Sequence, residues 1–209
     1  MIEKIFVKDA IKQAEIEEYL RKKFDKAGYS RSEIQRTPLG TRIIVYAYRP
    51  TLVIGRGGRR LGEIAKELSE KFGLQNPMID VREVENPFLD ANIVAKRIAK
   101  AIEKGINYKK VCNYYVRKVM EAGAIGVKIR VSGKLAGKER SRFAKFQDGF
   151  IVQSGHYSET LVDKAQAQAL IKPGIVGVEV MIMKKMPKEL ELEKVVKHEG
   201  IEDKRVEEA

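Results

Sequence analysis

The chain has 209 residues, 44% of them apolar and 33% charged, enough apolar content for packed cores and too much for disorder of the whole chain. Its 41 Lys and Arg exceed its 29 Asp and Glu by 12, an excess that points to a polyanionic partner, nucleic acid first and a phosphate-rich membrane surface second. One Cys excludes an internal disulfide and suits a reducing compartment, and with two scattered His it leaves no Cys/His cluster for structural zinc.

The N-terminal stretch MIEKIFVKDAIKQAEIEEYL mixes acids into its apolar positions and has no signal-peptide core. No apolar run approaches the ~20 residues of a membrane helix. Lys8 to Ala27 reads as an amphipathic helix with Ile16, Tyr19, Leu20 and Phe24 on one side, and Gly28 is placed to stop it. Ser32 to Thr37 and the denser Thr41 to Tyr48 read as strands, with Pro38-Leu39-Gly40 as the hairpin turn between them. Pro50 opens a short helix over Thr51 to Ile54. After Gly55-Arg56-Gly57-Gly58 a further helix carries Leu61, Ile64, Ala65, Leu68 and Phe72 at helical spacing and meets Gly73; Met78 to Val84 returns as a strand.

The turn-forming Asn86-Pro87 marks a boundary, and charge divides around it. Residues 1–85 hold 17 bases and 13 acids, residues 86–186 hold 19 and 8, and residues 187–209 hold 5 and 8. Beyond the boundary, Asp90 can cap a helix with Ile93, Val94, Arg97, Ile98, Ala101 and Ile102 on one face. Tyr108 to Ala122 is the next helix, stopped by Gly123. Gly126 to Ser132 alternates strictly, with Val127, Ile129 and Val131 facing one way and Lys128 and Arg130 the other. A basic stretch from Lys134 to Lys145 leads into Phe146-Gln147-Asp148-Gly149-Phe150. Thr160 to Ile171, rich in Ala, Gln and Leu, reads as a helix ending before Pro173, and Gly177 to Met183 as a strand. Residues 187–209 read as a charged tail, helical or disordered. Helices with a mixed or antiparallel sheet make both halves α+β.

Two features carry chemistry. The first is Gly55, Arg56, Gly57, Gly58, Arg59 and Arg60. Two helices joined by G-x-x-G let a ligand approach bare backbone, the second helix offers free N–H groups and a positive dipole end to phosphate, and three arginines add charge. The same arrangement in KH modules clamps the backbone of single-stranded nucleic acid. The second is a run of seven bases within 18 residues against Glu139 alone: Lys128, Arg130, Lys134, Lys138, Arg140, Arg142 and Lys145, a surface for RNA phosphates. Lys109, Lys110, Arg117 and Lys118 stand on the preceding helix, where Lys110 shares a face with Arg117. Arg60 occupies the third glycine position of a dinucleotide fingerprint and no P-loop is present, so nucleotide sites are excluded. Ser154 and His156 have no orienting acid at a defensible position, His198 lies in the tail, and Cys112 reads as a packed small residue; no catalytic site, metal site or cofactor is expected.

RIIVYAYRPTLVIGRGGRRLGEIAKELSEKFG resembles the KH segment of the third small-subunit ribosomal protein family, and VRKVMEAGAIGVKIRVSGKLAG, FQDGFIVQSGHY and PGIVGVEVMIM resemble its C-terminal domain in the same order. The resemblance covers about residues 1–186 and is closer to archaeal or eukaryotic members than to bacterial ones. It implies an α+β protein with a type II KH domain (αββααβ) over 1–85 and a C-terminal α+β domain over 86–186. It further implies a non-enzymatic, cytoplasmic, ribosome-bound component with no membrane or small-molecule partner. Its partners would be small-subunit rRNA, neighbouring proteins of the subunit head, and mRNA in the channel by which it enters. Matched position by position, the family's mRNA-contacting bases fall on Lys109, Lys110 and Asn113, the last a departure from positive charge. The rivals are a free KH factor reading short single strands and a DNA-lesion lyase using a lysine amine.

Overall fold

The structure, a computed structural model, describes residues 2–37, 40–137 and 139–186. The charged tail over 187–209, Lys138, and Pro38 and Leu39 of the expected hairpin turn lie outside the described residues. The chain divides between Pro87 and Phe88 into two compact units.

Unit 1 runs α1 (Ile2–Lys23), β1 (Tyr29–Thr37), β2 (Gly40–Ala47), α2 (Pro50–Ile54), α3 (Arg59–Phe72) and β3 (Met78–Glu83). This is the αββααβ order of a type II KH domain. In its sheet β1 pairs antiparallel with β2, and β2 pairs parallel with β3, Ile43 opposite Ile79 and Val45 opposite Val81. Strand alternation turns Ile43, Val45 and Ala47 toward one face. Ile16 and Leu20 of α1 and Phe24 just after it, spaced four residues apart, close over that face together with Ile64 and Leu68 of α3 and Val53 of α2. Full burial of each large aliphatic side chain contributes about 1.5–3 kcal/mol. Polar clips fasten the rim: the Tyr19 hydroxyl donates to the Glu67 carboxylate, Lys23 pairs with the same carboxylate, and Arg36 on β1 pairs with Asp9 on α1.

The first helix begins at Ile2 and ends at Lys23, earlier at both ends than the expected Lys8 to Ala27. Residues 25–27 tighten into a single 3-10 turn, and Gly28 closes that turn in the left-handed region at φ 74°. The buried residues of α1, Ile16 and Leu20, lie in its second half, whereas Phe6, Val7 and Ile11 are more than half exposed. The first strand starts at Tyr29, three residues ahead of the expected Ser32.

Unit 2 runs α4 (Ala91–Glu103), α5 (Tyr108–Glu121), β4 (Gly126–Gly133), β5 (Arg142–Gly149), α6 (His156–Thr160), β6 (Val162–Ile171) and β7 (Gly174–Met183). Its sheet is fully antiparallel in the order β5-β4-β7-β6. Val127, Ile129 and Val131 of β4, Val176, Val178, Val180 and Ile182 of β7, and Ala165 and Ala169 of β6 line the inner face, under α4 and α5. Asp90 caps α4 by accepting from the Ile93 N–H, and Asn107 does the same for α5 through Lys109 N–H. The Asp163 carboxylate accepts from Ala91 N–H and the Glu103 carboxylate from Leu170 N–H, two ties between α4 and β6.

One expected element has the wrong type. The helix expected over Thr160 to Ile171 is strand β6, with only the one-turn helix α6 (His156–Thr160) before it. Along β6 Asp163, Ala165, Ala167 and Ala169 face inward and Lys164, Gln166, Gln168 and Leu170 outward, and ten residues pair with β7 from Val162 opposite Met183 to Ile171 opposite Gly174. Ladder bonds and burial of the alanines beneath α4 override the helical propensity of Ala, Gln and Leu. Pro173 accordingly sits in the β6–β7 turn instead of ending a helix. The final strand also begins three residues before the expected Gly177, and the basic stretch from Lys134 resolves into a short turn at Leu135–Gly137 followed by β5.

Candidate nucleic-acid interface

In unit 1 the glycine turn is built by conformations that only glycine adopts cheaply. Gly55 ends α2 at φ 74°, ψ −175°, its N–H donating to Thr51 O. Gly57 (φ 61°, ψ 26°) and Gly58 (φ 74°, ψ 1°) are both left-handed, and a Cβ on either would meet open space. Gly58 stands at the start of α3 with no side chain to occupy the helix's first N–H groups, leaving them to an incoming anion. Arg56 and Arg59 are exposed at the same turn. Arg60 differs. Its guanidinium donates to Leu52 O at 3.0 Å and Lys23 O at 3.2 Å, so it fastens α2 to the end of α1. Leu52 and Ile54 are 40% exposed beside the turn, apolar surface that the sequence reading assigned only to a short helix.

In unit 2 α5 has two unlike faces. Val111, Cys112, Val116 and Val119 are sealed in the core, while Lys109, Lys110, Asn113 and Arg117 are exposed. Lys118, counted with them in the sequence, pairs with Glu121 at 2.7 Å; that hydrogen bond holds its ammonium above the usual lysine range. Tyr114, 54% exposed, lies among these bases and had no sequence signal beyond its type. Burial pushes the Cys112 thiol up to about 12, so at neutral pH it stays protonated and unreactive.

The outer face of the unit 2 sheet carries Lys128 and Arg130 of β4 and Lys145 of β5, as the alternation requires. Only part of it is open. Ile151 and Val152 fold over Val162, Met181 and Met183 at one end, and there the Lys128 ammonium donates to the Gln153 side chain at 2.7 Å and Lys164 to the Ser158 hydroxyl at 2.6 Å. Arg130 and Lys145 remain exposed at the other end, together with Lys134, Arg140 and Arg142 around it. Of the seven bases expected to act together, Lys128 is hydrogen-bonded to Gln153, and Lys138 lies outside the described residues.

Among the described residues, no group of three or more His, Cys, Asp or Glu could hold a metal ion, and no helix is long and apolar enough to cross a membrane. His156 opens α6 with its ring 6.2 Å from that of Tyr157.

Comparison with known families and proteins matches these features to two domains in order. The KH domain family matches residues 15–89, and the family described as ribosomal protein S3, C-terminal domain, matches residues 98–182. The chain is similar to the small ribosomal subunit protein uS3 of Methanocaldococcus jannaschii, 48% identical over 184 residues that cover 88% of each chain. It is 47% identical to the protein of the same name from Hyperthermus butylicus over 88% of this chain and 74% of that one. For the Saccharolobus solfataricus protein, the figures are 44%, 88% and 80%.

Proposed function

Because the chain belongs to the family of small ribosomal subunit protein uS3, a family of structural, non-enzymatic proteins, we propose that it is a constituent of the small ribosomal subunit, binding small-subunit rRNA in the head and lining the channel by which mRNA enters. The observation that carries the reading is the division of α5. Its apolar side is locked in the core, so Lys109, Lys110 and Arg117 project from a rigid helix whose opposite side cannot shift to follow a ligand. Cations fixed in this way grip passing phosphates without reading bases, which suits a channel that must accept every message. Asn113, between them, supplies hydrogen bonds and no charge, so the grip rests on Lys109 and Lys110.

The turn of unit 1 serves rRNA. The free N–H groups of α3 and the Arg56 and Arg59 side chains meet phosphate, while Leu52 and Ile54 offer apolar surface to an adjacent base or sugar. Arg60 keeps the turn in shape. Arg130, Lys134, Arg140, Arg142 and Lys145 make a second rRNA contact in unit 2. The exposed start of α1 (Phe6, Val7, Ile11) suits contact with a neighbouring head protein. Such a component resides in the cytoplasm with the ribosome.

Two experiments test this. On a sucrose gradient of a cell lysate the protein should co-migrate with small subunits in stoichiometric amount and stay after a high-salt wash; protein left at the top would refute it. Ribosomes carrying Lys109→Glu and Lys110→Glu together should unwind structured mRNA more slowly, and unchanged unwinding would remove the channel role.

A further inference from the structure

The half of the unit 2 sheet that the segment after β5 leaves uncovered has an unusual composition for a surface. Phe143, the second residue of β5, is 63% exposed, on a strand whose other apolar residues, Ala144 and Phe146, pack against the core. Two cations attend its ring: the Arg130 guanidinium carbon lies 5.4 Å and the Lys145 ammonium 5.7 Å from the ring centroid. Across the sheet from Phe143 the register brings Ser132 on β4, then Gly177 on β7, then Gln168 on β6. The two middle positions hold almost no side chain. With strands about 4.8 Å apart, Phe143 and Gln168 therefore face each other over a flat floor of roughly 14 Å. Glu179 is the one acid on the outward-facing positions of these four strands.

An exposed aromatic ring on an open antiparallel sheet, with helices on the opposite face and cations beside it, is the arrangement on which unpaired bases stack. We propose that this half of the sheet is a stacking site for an unpaired RNA base: the base lies on the Phe143 ring above the Ser132–Gly177 floor, and Arg130 and Lys145 hold the flanking phosphates. The positive surroundings favour RNA over a protein partner, for which Ile175 and Leu170, exposed at the adjoining β6–β7 turn, would supply further apolar area. The inference rests on the rRNA-binding reading of unit 2 and adds to it the kind of nucleotide bound, unpaired instead of helical.

The test uses the full chain and short unstructured RNA carrying one fluorescent adenine analogue, whose emission is quenched on stacking. Phe143→Ala and Phe143→Leu should each bind roughly tenfold more weakly and lose the quench, while Phe143→Tyr keeps both. The Leu variant matters because it keeps apolar area and removes the π face. If Phe143→Leu binds and quenches as the native chain does, the stacking site is refuted, and so it is if the Leu variant keeps association with a protein partner that the Ala variant loses. An Arg59→Glu variant read in parallel separates the two levels: if it weakens RNA binding while the Phe143 variants do not, the RNA reading survives and this site falls. If native protein binds no RNA even at low salt, both fall.

Discussion

Replacing Gly55 by Ala should destabilise unit 1 far more than the same change at Gly58, two glycines of one turn with almost equal φ. At φ 74°, ψ −175° Gly55 lies in a region reserved for glycine, where a side chain costs about 1–3 kcal/mol. A Cβ there would also stand 2.7 Å from Arg60 Cβ. Relief requires Arg60 to move, and with it the hydrogen bonds to Leu52 O and Lys23 O; both are open to solvent, so together they add about 1 kcal/mol. The sum is about 2–4 kcal/mol. Gly58, at φ 74°, ψ 1°, is left-handed with nothing within 4 Å of a built Cβ, so Ala costs only the left-handed penalty of about 1 kcal/mol. Hydrogen exchange of α3 amides in the full chain reads the opening free energy of this unit without assuming that both units unfold together. Equal exchange in the two variants would refute the claim that the position of Arg60 depends on the missing Cβ of Gly55.

Arg59→Ala should weaken RNA binding and leave stability within about 0.5 kcal/mol, whereas Arg60→Ala should cost about 1 kcal/mol in unit 1; filter binding beside hydrogen exchange distinguishes them, and the reverse pattern would invert the assignment of the two arginines. Ile129, fully buried under α4 and α5, should cost about 2–5 kcal/mol on conversion to Ala, while Arg130→Ala on the open face costs at most about 0.5 kcal/mol by denaturant melts of unit 2. Folding keeps the Cys112 thiol protonated to about pH 12 while the unfolded chain releases that proton near 9, so the unfolded state binds fewer protons and stability falls as pH rises between those values. Burial raises Tyr115 in the same direction. The decline should be shallower in Cys112→Ala, and an unchanged slope would assign it elsewhere.

The architecture of unit 1 could be read from the chain because its signals are local. Ile16, Leu20 and Phe24 repeat at four, β2 is dense in β-branched residues, and the glycines mark each helix end. Strand β6 could not be read that way. Its Ala-Gln-Ala-Gln-Ala core does alternate, but every residue in it favours a helix, and what decides the outcome is β7, which arrives later in the chain. At the candidate interface, residue type gave the charges but not their employment. Arg60 and Arg59 are neighbours in sequence, yet one is held by two carbonyls and the other faces solvent. Lys128 and Arg130 share a strand face, yet only the first lies under the segment that supplies Gln153. Phe143 stood within the basic stretch and passed as ordinary, since nothing local says that Phe146 turns inward beside Tyr108 while Phe143 turns out.

The strand order of unit 2 has a consequence for how the molecule is made. β7 lies between β4 and β6, yet it is the last of these strands to leave the machinery that synthesises the chain. Until it emerges, β4 pairs only with β5 and β6 has no partner among the described strands, leaving the valines of one and the alanines of the other open to water and to other chains. Unit 1, whose three strands are complete by Glu83, can settle long before. The newborn protein therefore passes through an interval in which its first half is folded and its second waits on ten residues. Any delay before β7 is released prolongs the period in which self-association competes with folding, and a delay after its release does not.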